Sequence, residues 1–162
     1  MRLTSLCANP LSRTFATLRT MSGSEDCIFC KIVRGEIPAS VVFEDDVCMA
    51  FMDIFPVKTG HCLLIPKKHY TNMLDVDPDV VAHLAKRLSE LTRKVNNAMK
   101  PDGVLNVVAN GPGAGQEVPH LHIHVIPRNH DDEFRFQFPK GYRDKMAERE
   151  ELDRVAGLIR EA

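Results

Sequence analysis

Three histidines alternate with aliphatic residues in the segment from Asn110 to Arg128. They are His120, His122 and His124. Because the side chains of an extended chain alternate between two faces, this spacing predicts that all three imidazoles share one face. The preceding loop is rich in glycine, which lacks a Cβ and lets backbone N–H groups approach an anion closely. A row of imidazoles beside such a loop indicates chemistry on a phosphate group.

Cys27 and Cys30 form a Cys-x-x-Cys pair that opens a short helical segment, which Gly35 interrupts. Such a pair supplies half of a tetrahedral zinc site, or else a redox dithiol. The strand–helix pattern of a thioredoxin-like redox site is not evident here, so zinc is favoured. The chain has five cysteines at irregular spacing, which argues against the disulfide framework of a small secreted protein.

The run His-Leu-His-Ile-His-Val-Ile, preceded by Ala-Gly-Gln, resembles the histidine triad (HIT) family of nucleotide hydrolases and transferases. The likeness covers roughly residues 25 to 130, and the early Cys-x-x-Cys resembles the Hint-like branch. The resemblance implies a structural zinc ion held by four residues: Cys27, Cys30, His69 and His120. Another interpretation of the triad is a histidine-rich strand that binds a metal, because His-x-His is also a common ligand spacing.

The resemblance implies covalent catalysis by the middle histidine, His122. Its attack on an α-phosphate would form a nucleotidyl-histidine, which water then hydrolyses. The attacking nitrogen must be unprotonated, so we expect the other ring nitrogen to donate to a carbonyl or similar acceptor. His124 is expected to bind or protonate phosphate oxygens, and His120 and Gln116 complete the predicted catalytic set. Backbone N–H groups of the glycine loop would stabilise transition-state charge.

The resemblance also implies a nucleoside pocket, in which Asp53 accepts hydrogen bonds from the ribose hydroxyls. Six apolar residues match the positions that enclose the base: Phe29, Ile32, Ile37, Phe51, Ile54 and Leu63. Each of them is equally consistent with an ordinary core position. Further nucleotide contacts are expected from the triad region: His61, Asn110, Gly115, Gln116, Glu117, His122 and His124. An apolar slot with one polar anchor recognises the shape of a purine better than its identity.

Two residues depart from the commoner pattern of the family. Ala109 stands where an Asn or Gln is usual, and Glu117 stands where a Ser or Thr often contacts the leaving group. An ionised Glu cannot donate a hydrogen bond, whereas a protonated one could act as a general acid. These departures leave the triad intact and leave the preference for a leaving group open.

The predicted function is hydrolysis of nucleoside 5′-monophosphate derivatives, of the adenosine phosphoramidase type, by a homodimer whose sheet continues across the interface. One alternative is a dinucleoside polyphosphate (Ap3A or Ap4A) hydrolase, in which Phe134, Phe136 and Phe138 would contact a second nucleotide. A nucleotide-binding scaffold or interaction protein is an alternative of another class. A metal-dependent hydrolase is a third.

The strands and helices that must position these residues can be predicted from the periodicity of the apolar residues and from the residues that break helices and strands. Strands are predicted in five ranges: two within 41–53 around Asp45-Asp46, then 61–66, 104–110 and 118–126. A long helix is expected from Pro78, with Asp77 as N-cap and an end at 101–103. A charged helix closes the chain. Together these elements predict an α+β, HIT-like fold with a five-stranded, mainly antiparallel sheet in one domain (25–130), followed by an extension (131–162).

The composition of the chain argues against several classes of function. A net charge of −1 over 162 residues gives no global electrostatic case for nucleic acid or an anionic membrane. Residues 1–24 carry three arginines, no acidic residue and many Ser and Thr, which is typical of a mitochondrial transit peptide. The alternatives are a disordered tail, or a leader upstream of a start at Met21. We therefore expect a mitochondrial protein, or a cytoplasmic one if translation starts at Met21.

Overall fold

The computed structural model describes residues 25–135 and 137–162. The predicted leader (1–24) and Phe136 lie outside the described residues. The chain divides into two compact units, one that ends at His130 and one from Asp131 to Ala162. Each is described by itself.

The first unit is an α+β fold built on one five-stranded sheet, as predicted. Its elements in chain order are α1 (Ile28–Val33), β1 (Val41–Glu44), β2 (Cys48–Met52), β3 (Cys62–Pro66), α2 (Pro78–Met99), β4 (Gly103–Val108), a 3₁₀ turn (Pro112–Ala114) and β5 (Ile123–Arg128). The strand order is β1-β2-β3-β5-β4, and every neighbouring pair is antiparallel.

The sheet is covered on both faces, and the alternation of side chains divides its apolar residues between two clusters. Leu64 of β3 joins Leu121, Val125 and the apolar stripe of α2 in one cluster. Leu63 and Ile65, its neighbours along the same strand, point the other way and pack with α1 in the second cluster. All five residues of β3 are buried, which explains why its sequence is a continuous apolar run.

Helix α2 begins at Pro78 after Asp77, as predicted, but Asp77 does not cap it through its side chain. The Asp77 carboxylate instead accepts hydrogen bonds from the Tyr70 hydroxyl and, at 3.0 Å, from Lys68. The helix ends at Met99, and Lys100 takes a left-handed conformation with φ 49° whose N–H bonds to the Asn96 carbonyl. Gly103, which was expected to end the helix, is the first residue of β4.

The predicted bounds of the last two strands were wrong. Strand β5 begins at Ile123, not 118, and β4 ends at Val108, not 110. The β3–β5 ladder stops at the Leu64–Ile123 pair, beyond which Pro66 has no N–H to donate. The Leu121 N–H instead donates to the Tyr70 carbonyl at 2.6 Å. Only His124 of the triad therefore lies in the strand.

The second unit contains helix α3 (Arg149–Glu161). The residues of its predicted apolar side, Leu152, Val155, Leu158 and Ile159, are all at least 36% exposed. Earlier in this unit, the rings of Phe138 and Tyr142 stack with their centroids 4.5 Å apart. Among the described residues, no helix has the length and apolar character needed to cross a membrane.

Candidate functional site

The three triad histidines share one face, although two of them precede β5. The ring of Phe29, on α1, makes edge contacts with His120 at 5.8 Å and His122 at 5.4 Å between centroids. The rings of His122 and His124 are in turn 5.0 Å apart. The intervening Leu121 packs on the opposite, α2 side of the sheet. The predicted alternation is therefore present. His120 and His122, however, lie in an extended segment before β5 that is not paired with β3.

His122 is held in one tautomer by a backbone carbonyl. Its Nδ1 lies 2.7 Å from the carbonyl oxygen of His120. Because a carbonyl oxygen only accepts, Nδ1 carries the hydrogen and Nε2 of the neutral ring keeps its lone pair. The ring is buried, with 6% of the residue exposed. The expected carbonyl partner is thus present, and it leaves Nε2 in the form that a nucleophile requires.

His124 contacts a fourth histidine, His61, from the start of β3. Nε2 of His61 lies 2.9 Å from Nδ1 of His124. Burial, together with the neighbouring rings of His122 and His61, lowers the pKa of His124 to about 4, against the raising effect of the Asp53 charge. Burial also lowers the pKa of His61, against the raising effect of the Asp53 charge. Both imidazoles are therefore neutral near pH 7.

The predicted metal ligands lie together, with one ligand atom of each within 4.8 Å of the others. Nδ1 of His120 is 3.4 Å from the Cys27 sulfur and 3.5 Å from that of Cys30. Nδ1 of His69 is 3.3 Å from the Cys30 sulfur. Tetrahedral zinc with Zn–S of about 2.3 Å and Zn–N of about 2.0 Å separates sulfur and nitrogen by about 3.5 Å. The four side chains therefore have the spacing of a metal site.

The protonation of these ligands also suits a metal. Nε2 of His120 lies 2.9 Å from the Pro66 carbonyl, so it carries the hydrogen and Nδ1 presents its lone pair to the sulfurs. Burial lowers the pKa of His120 to about 4, which keeps the ring neutral. Burial, together with the neighbouring Cys27, raises the pKa of the Cys30 thiol to about 11. Metal binding would therefore have to displace a proton from this thiol.

The side-chain amide of Gln116 holds the glycine loop in place through its oxygen and both of its hydrogens. Its Oε1 accepts from the Gly111 N–H at 2.7 Å, and its Nε2 donates to the carbonyls of Thr71 at 2.6 Å and Val118 at 3.0 Å. Gly111 and Gly115 have φ of 87° and 86°, a region that glycine adopts readily. Gln116 was predicted to act in catalysis and nucleotide binding. In this structure both hydrogens of its side-chain amide are engaged by backbone carbonyls, and its role towards a nucleotide stays a prediction.

Asn110 and Glu117, the residues on either side of this loop, differ in their environment. The side-chain carbonyl of Asn110, a predicted nucleotide contact, accepts the Met73 N–H at 2.9 Å and so joins the loop to the segment before α2. Glu117 is exposed. It lines a cavity of about 370 Å³ together with Asp26, Cys27, Ile28, His69, Thr71, Val118 and Pro119. This cavity opens beside the metal ligands.

The predicted nucleoside contacts separate into buried and accessible groups. Phe29, Phe51 and Leu63 are buried in the cluster beside α1, with at most 7% exposed. Ile32 packs half-buried against that cluster, and Ile37 is also half-buried. Ile54 is 75% exposed. The first three therefore belong to the core of the unliganded chain, whereas Ile54 is accessible, and contact of any of them with a nucleoside stays a prediction.

Asp53, the predicted ribose anchor, is half-buried at the end of β2. Its Oδ1 accepts the Phe55 N–H at 2.8 Å, and its Oδ2 lies 3.6 Å from Nδ1 of His61. The contacts that sequence reasoning missed are backbone groups: the Pro66 carbonyl behind His120, and the Val57 N–H, 3.3 Å from Nδ1 of His61. Backbone groups occur at every position, so no residue pattern could have indicated them.

Two curated relatives show where this chain stands among known proteins. It is 44% identical over 116 residues to a HIT-like protein of Borreliella burgdorferi, covering 69% of this chain and 82% of the relative. It is also 41% identical over 107 residues to the Arabidopsis thaliana protein Adenylylsulfatase HINT3, covering 66% of this chain and 54% of that protein.

Solved structures show the same fold. SMU.412c from Streptococcus mutans superposes with a TM-score of 0.81 at 37% identity, over 88% of each chain. A zinc-bound histidine triad family protein from Mycobacterium smegmatis superposes with a TM-score of 0.66 at 33% identity, over 86% of this chain and all of the other. The family described as HIT domain matches residues 34–131, which include all three triad histidines. The chain belongs to the HIT domain family.

Proposed function

We propose that the chain hydrolyses nucleoside 5′-monophosphate derivatives at the α-phosphate through a covalent intermediate on His122. The observation that carries this proposal is the 2.7 Å contact between Nδ1 of His122 and the His120 carbonyl, which leaves Nε2 unprotonated. Nε2 would bond to the α-phosphorus while the bond to the leaving group breaks and the leaving group keeps the electron pair. Water would then attack the phosphorus, release the nucleotide and restore the imidazole.

The relatives support a leaving group joined directly to the α-phosphate. The name of the Arabidopsis thaliana relative, Adenylylsulfatase HINT3, indicates a substrate with sulfate in that position. For this chain we propose phosphoramidates, whose leaving group is an amine. Glu117 and Asp26 line one exposed cavity, and two carboxylates there would disfavour an anionic polyphosphate more than a neutral or cationic amine. Ap3A or Ap4A hydrolysis is therefore the second candidate.

The covalent step can be tested by intact-protein mass spectrometry after brief mixing with an adenosine phosphoramidate. We expect an adenylyl adduct in the wild type and none in His122→Ala. His83→Gln is a matched control, because it removes a half-buried imidazole of α2 that contacts Asp45 and lies outside the triad, and it should leave the adduct unchanged. Nucleotide binding with no adduct and no turnover in the wild type would contradict the proposal and favour a nucleotide-binding scaffold.

The leaving group can be tested by comparing turnover of four adenosine substrates: a phosphoramidate, the 5′-phosphosulfate, Ap3A and Ap4A. The highest kcat/KM is expected for the phosphoramidate. Glu117→Ser should raise the relative rate of the polyphosphates, because it removes a negative charge from the cavity. A preference for Ap3A or Ap4A in the wild type would make the second candidate the better one.

We also propose that the metal held by Cys27, Cys30, His69 and His120 is zinc with a structural role. Thiolate and imidazole are ligands that zinc prefers, and four protein ligands leave no open position for a substrate. The zinc-bound Mycobacterium smegmatis neighbour supports this assignment. When bound, the ion would join the start of α1 to the two histidines and contribute folding free energy. The residues that act on the substrate would then be those around His122, and the metal would take no part in the reaction.

A homodimer is a further part of the proposal. Among the described residues, β4 pairs only with β5, so its other edge can extend the sheet across an interface. Val108 on this strand is 37% exposed and Met99 at the end of α2 is 40% exposed. Sedimentation equilibrium should give about twice the 18.2 kDa mass of one chain. Val108→Lys should shift the protein towards the monomer, and a wild-type monomer at micromolar concentration would contradict the proposal.

Mitochondrial targeting by residues 1–24 remains a proposal that rests on composition. A fusion of these residues to a fluorescent protein should enter mitochondria. A variant with Arg2, Arg13 and Arg19 all replaced by Gln should stay in the cytosol, because import requires the positive charge. Cytosolic fluorescence of both fusions would contradict targeting.

A further inference from the structure

The cavity beside the metal ligands is lined by only two of the four. Cys27 and His69 line it, whereas Cys30 and His120 do not. His69 is half-buried, while Cys30 and His120 are 4% and 0% exposed. An ion that arrives through this cavity would therefore meet the Cys27 sulfur and the His69 ring first, and the other two ligands afterwards.

The same cavity is lined by two carboxylates, Asp26 and Glu117. Both residues are exposed, and neither forms an ion pair with any residue that the structure describes. The remaining lining residues carry no charge: Ile28, Thr71, Val118 and Pro119. The charge of the cavity is therefore negative, and a cleft lined by one sign of charge raises the local concentration of ions of the opposite sign.

The size of the cavity suits a hydrated ion. Its volume is about 370 Å³, and one water occupies about 30 Å³ in the liquid, so a cation can enter with its first shell of water. A carboxylate about 5 Å from a divalent cation should raise the local concentration of that ion about fivefold at physiological ionic strength. We propose that zinc exchanges at the structural site through this cavity, where Asp26 and Glu117 capture the incoming hydrated ion.

The two carboxylates act before the ion is bound and are not part of the closed site. Four protein ligands already complete a tetrahedron, so Asp26 and Glu117 hold the incoming ion only until Cys27 or His69 replaces one of its waters. One ion enters as another leaves, and the number of thiol protons does not change. This inference rests on the structural zinc proposed above and not on the reaction at His122.

Isotope exchange tests this route in the zinc-loaded protein. Zinc enriched in a heavy isotope is added in excess, and the isotope ratio of the protein-bound zinc is followed by mass spectrometry after rapid desalting. We expect the exchange rate to rise in proportion to the added zinc. Asp26→Asn and Glu117→Gln should each slow exchange about fivefold while one zinc per chain is retained. The combined variant should be slower still, and its rate should depend less on salt.

Asp46→Asn is the matched control, because it removes the same charge from an exposed position between β1 and β2 that does not line the cavity. It should exchange zinc at the wild-type rate. A rate that is independent of added zinc and equal in all variants would overturn the inference, because opening of α1 would then control exchange. A protein that binds no zinc would also overturn it. Since no nucleotide is present, normal exchange in a protein that fails to form the His122 adduct would refute only the proposed hydrolysis.

Discussion

Three chemically identical side chains in the triad differ in the atoms that face their ring nitrogens. His120 donates from Nε2 to the Pro66 carbonyl and turns Nδ1 to two sulfurs. His122 donates from Nδ1 to the His120 carbonyl and keeps Nε2 free. His124 faces the imidazole of His61. The hydrogen-bond partners, and not the residue type, therefore distinguish the three rings, and the different roles proposed for them rest on this difference.

The low pKa of His124 predicts a loss of stability in acid. Burial lowers this pKa to about 4, below the usual value of 6.5. The unfolded chain therefore takes up the proton first, and the free energy of unfolding falls as the pH drops from about 6.5 towards 4. His124 should contribute a loss of about 2 kcal/mol between pH 7 and 4.5.

Urea unfolding at both pH values isolates this contribution. His124→Asn should show a smaller acid loss than the wild type by the stated amount. Ile123→Val, which changes the same strand without removing an ionisable group, is the control and should keep the wild-type pH dependence. Equal slopes for the wild type and His124→Asn would contradict the prediction.

Gln116 is predicted to contribute more stability than its exposed neighbour Asn110. Gln116→Ala removes three part-buried hydrogen bonds, each worth about 0.5–1.5 kcal/mol, although the Val118 carbonyl still accepts the His120 N–H. Asn110→Ala removes a single bond to Met73. Thermal unfolding should therefore show a larger drop in Tm for Gln116→Ala, accompanied by slower adenylylation. Equal drops would indicate that the loop does not depend on this clamp.

At the scale of elements, α1 brings the two cysteines and Phe29 to the triad. It has only six residues, which is too short to be stable alone in water. Packing of Phe29 against His120 and His122, and the metal ligands at its start, must therefore stabilise it. The catalytic face thus depends on an element that a metal is expected to stabilise.

Removal of the metal should therefore unfold this region together with the loss of activity. A strong chelator, or Cys27→Ser with Cys30→Ser, should abolish stoichiometric zinc, lower the Tm and reduce the helical circular dichroism signal. Cys62→Ala is the matched control, because that buried thiol belongs to none of the candidate metal groups among the described residues. Lost turnover with an unchanged fold would instead support the metal-dependent hydrolase.

The loop between β2 and β3 is fitted against the end of α2. Gly60 has φ 95°, and a Cβ added there would lie 2.7 Å from Cγ of Met99. Gly60→Ala should therefore cost the left-handed strain of about 1–2 kcal/mol and a further steric penalty. Gly35→Ala, with φ 75° and open space around it, should cost only the strain.

A double-mutant cycle separates the two costs. Met99→Ala in the Gly60→Ala background should recover the steric part, measured as the free energy of unfolding in urea. Additive effects of the two substitutions would show that the Met99 side chain moves aside without cost. Equal losses for Gly60→Ala and Gly35→Ala would lead to the same conclusion.

At the scale of the whole molecule, the matched family segment and the first compact unit nearly coincide. The family match covers residues 34–131, and the unit ends at His130. The Cys-x-x-Cys pair precedes the matched segment, although its sulfurs lie beside His120. The helix of the second unit leaves its apolar residues exposed. The matched segment and the first compact unit therefore end within one residue of each other.

The sequence alone indicated the triad, the Cys-x-x-Cys pair, the α+β class and the number of strands, because alternation, cysteine spacing and breakers are local patterns. His69 and His120 joined the predicted metal ligands only through the family resemblance. The sequence also indicated that the imidazoles share one face. The tertiary structure decided what the local pattern cannot contain. Pro66 and Tyr70 end the β3–β5 ladder at Ile123, and the carbonyls of Pro66 and His120 select the ring nitrogens. These partners are distant in sequence or belong to the backbone, so only the folded chain brings them into contact.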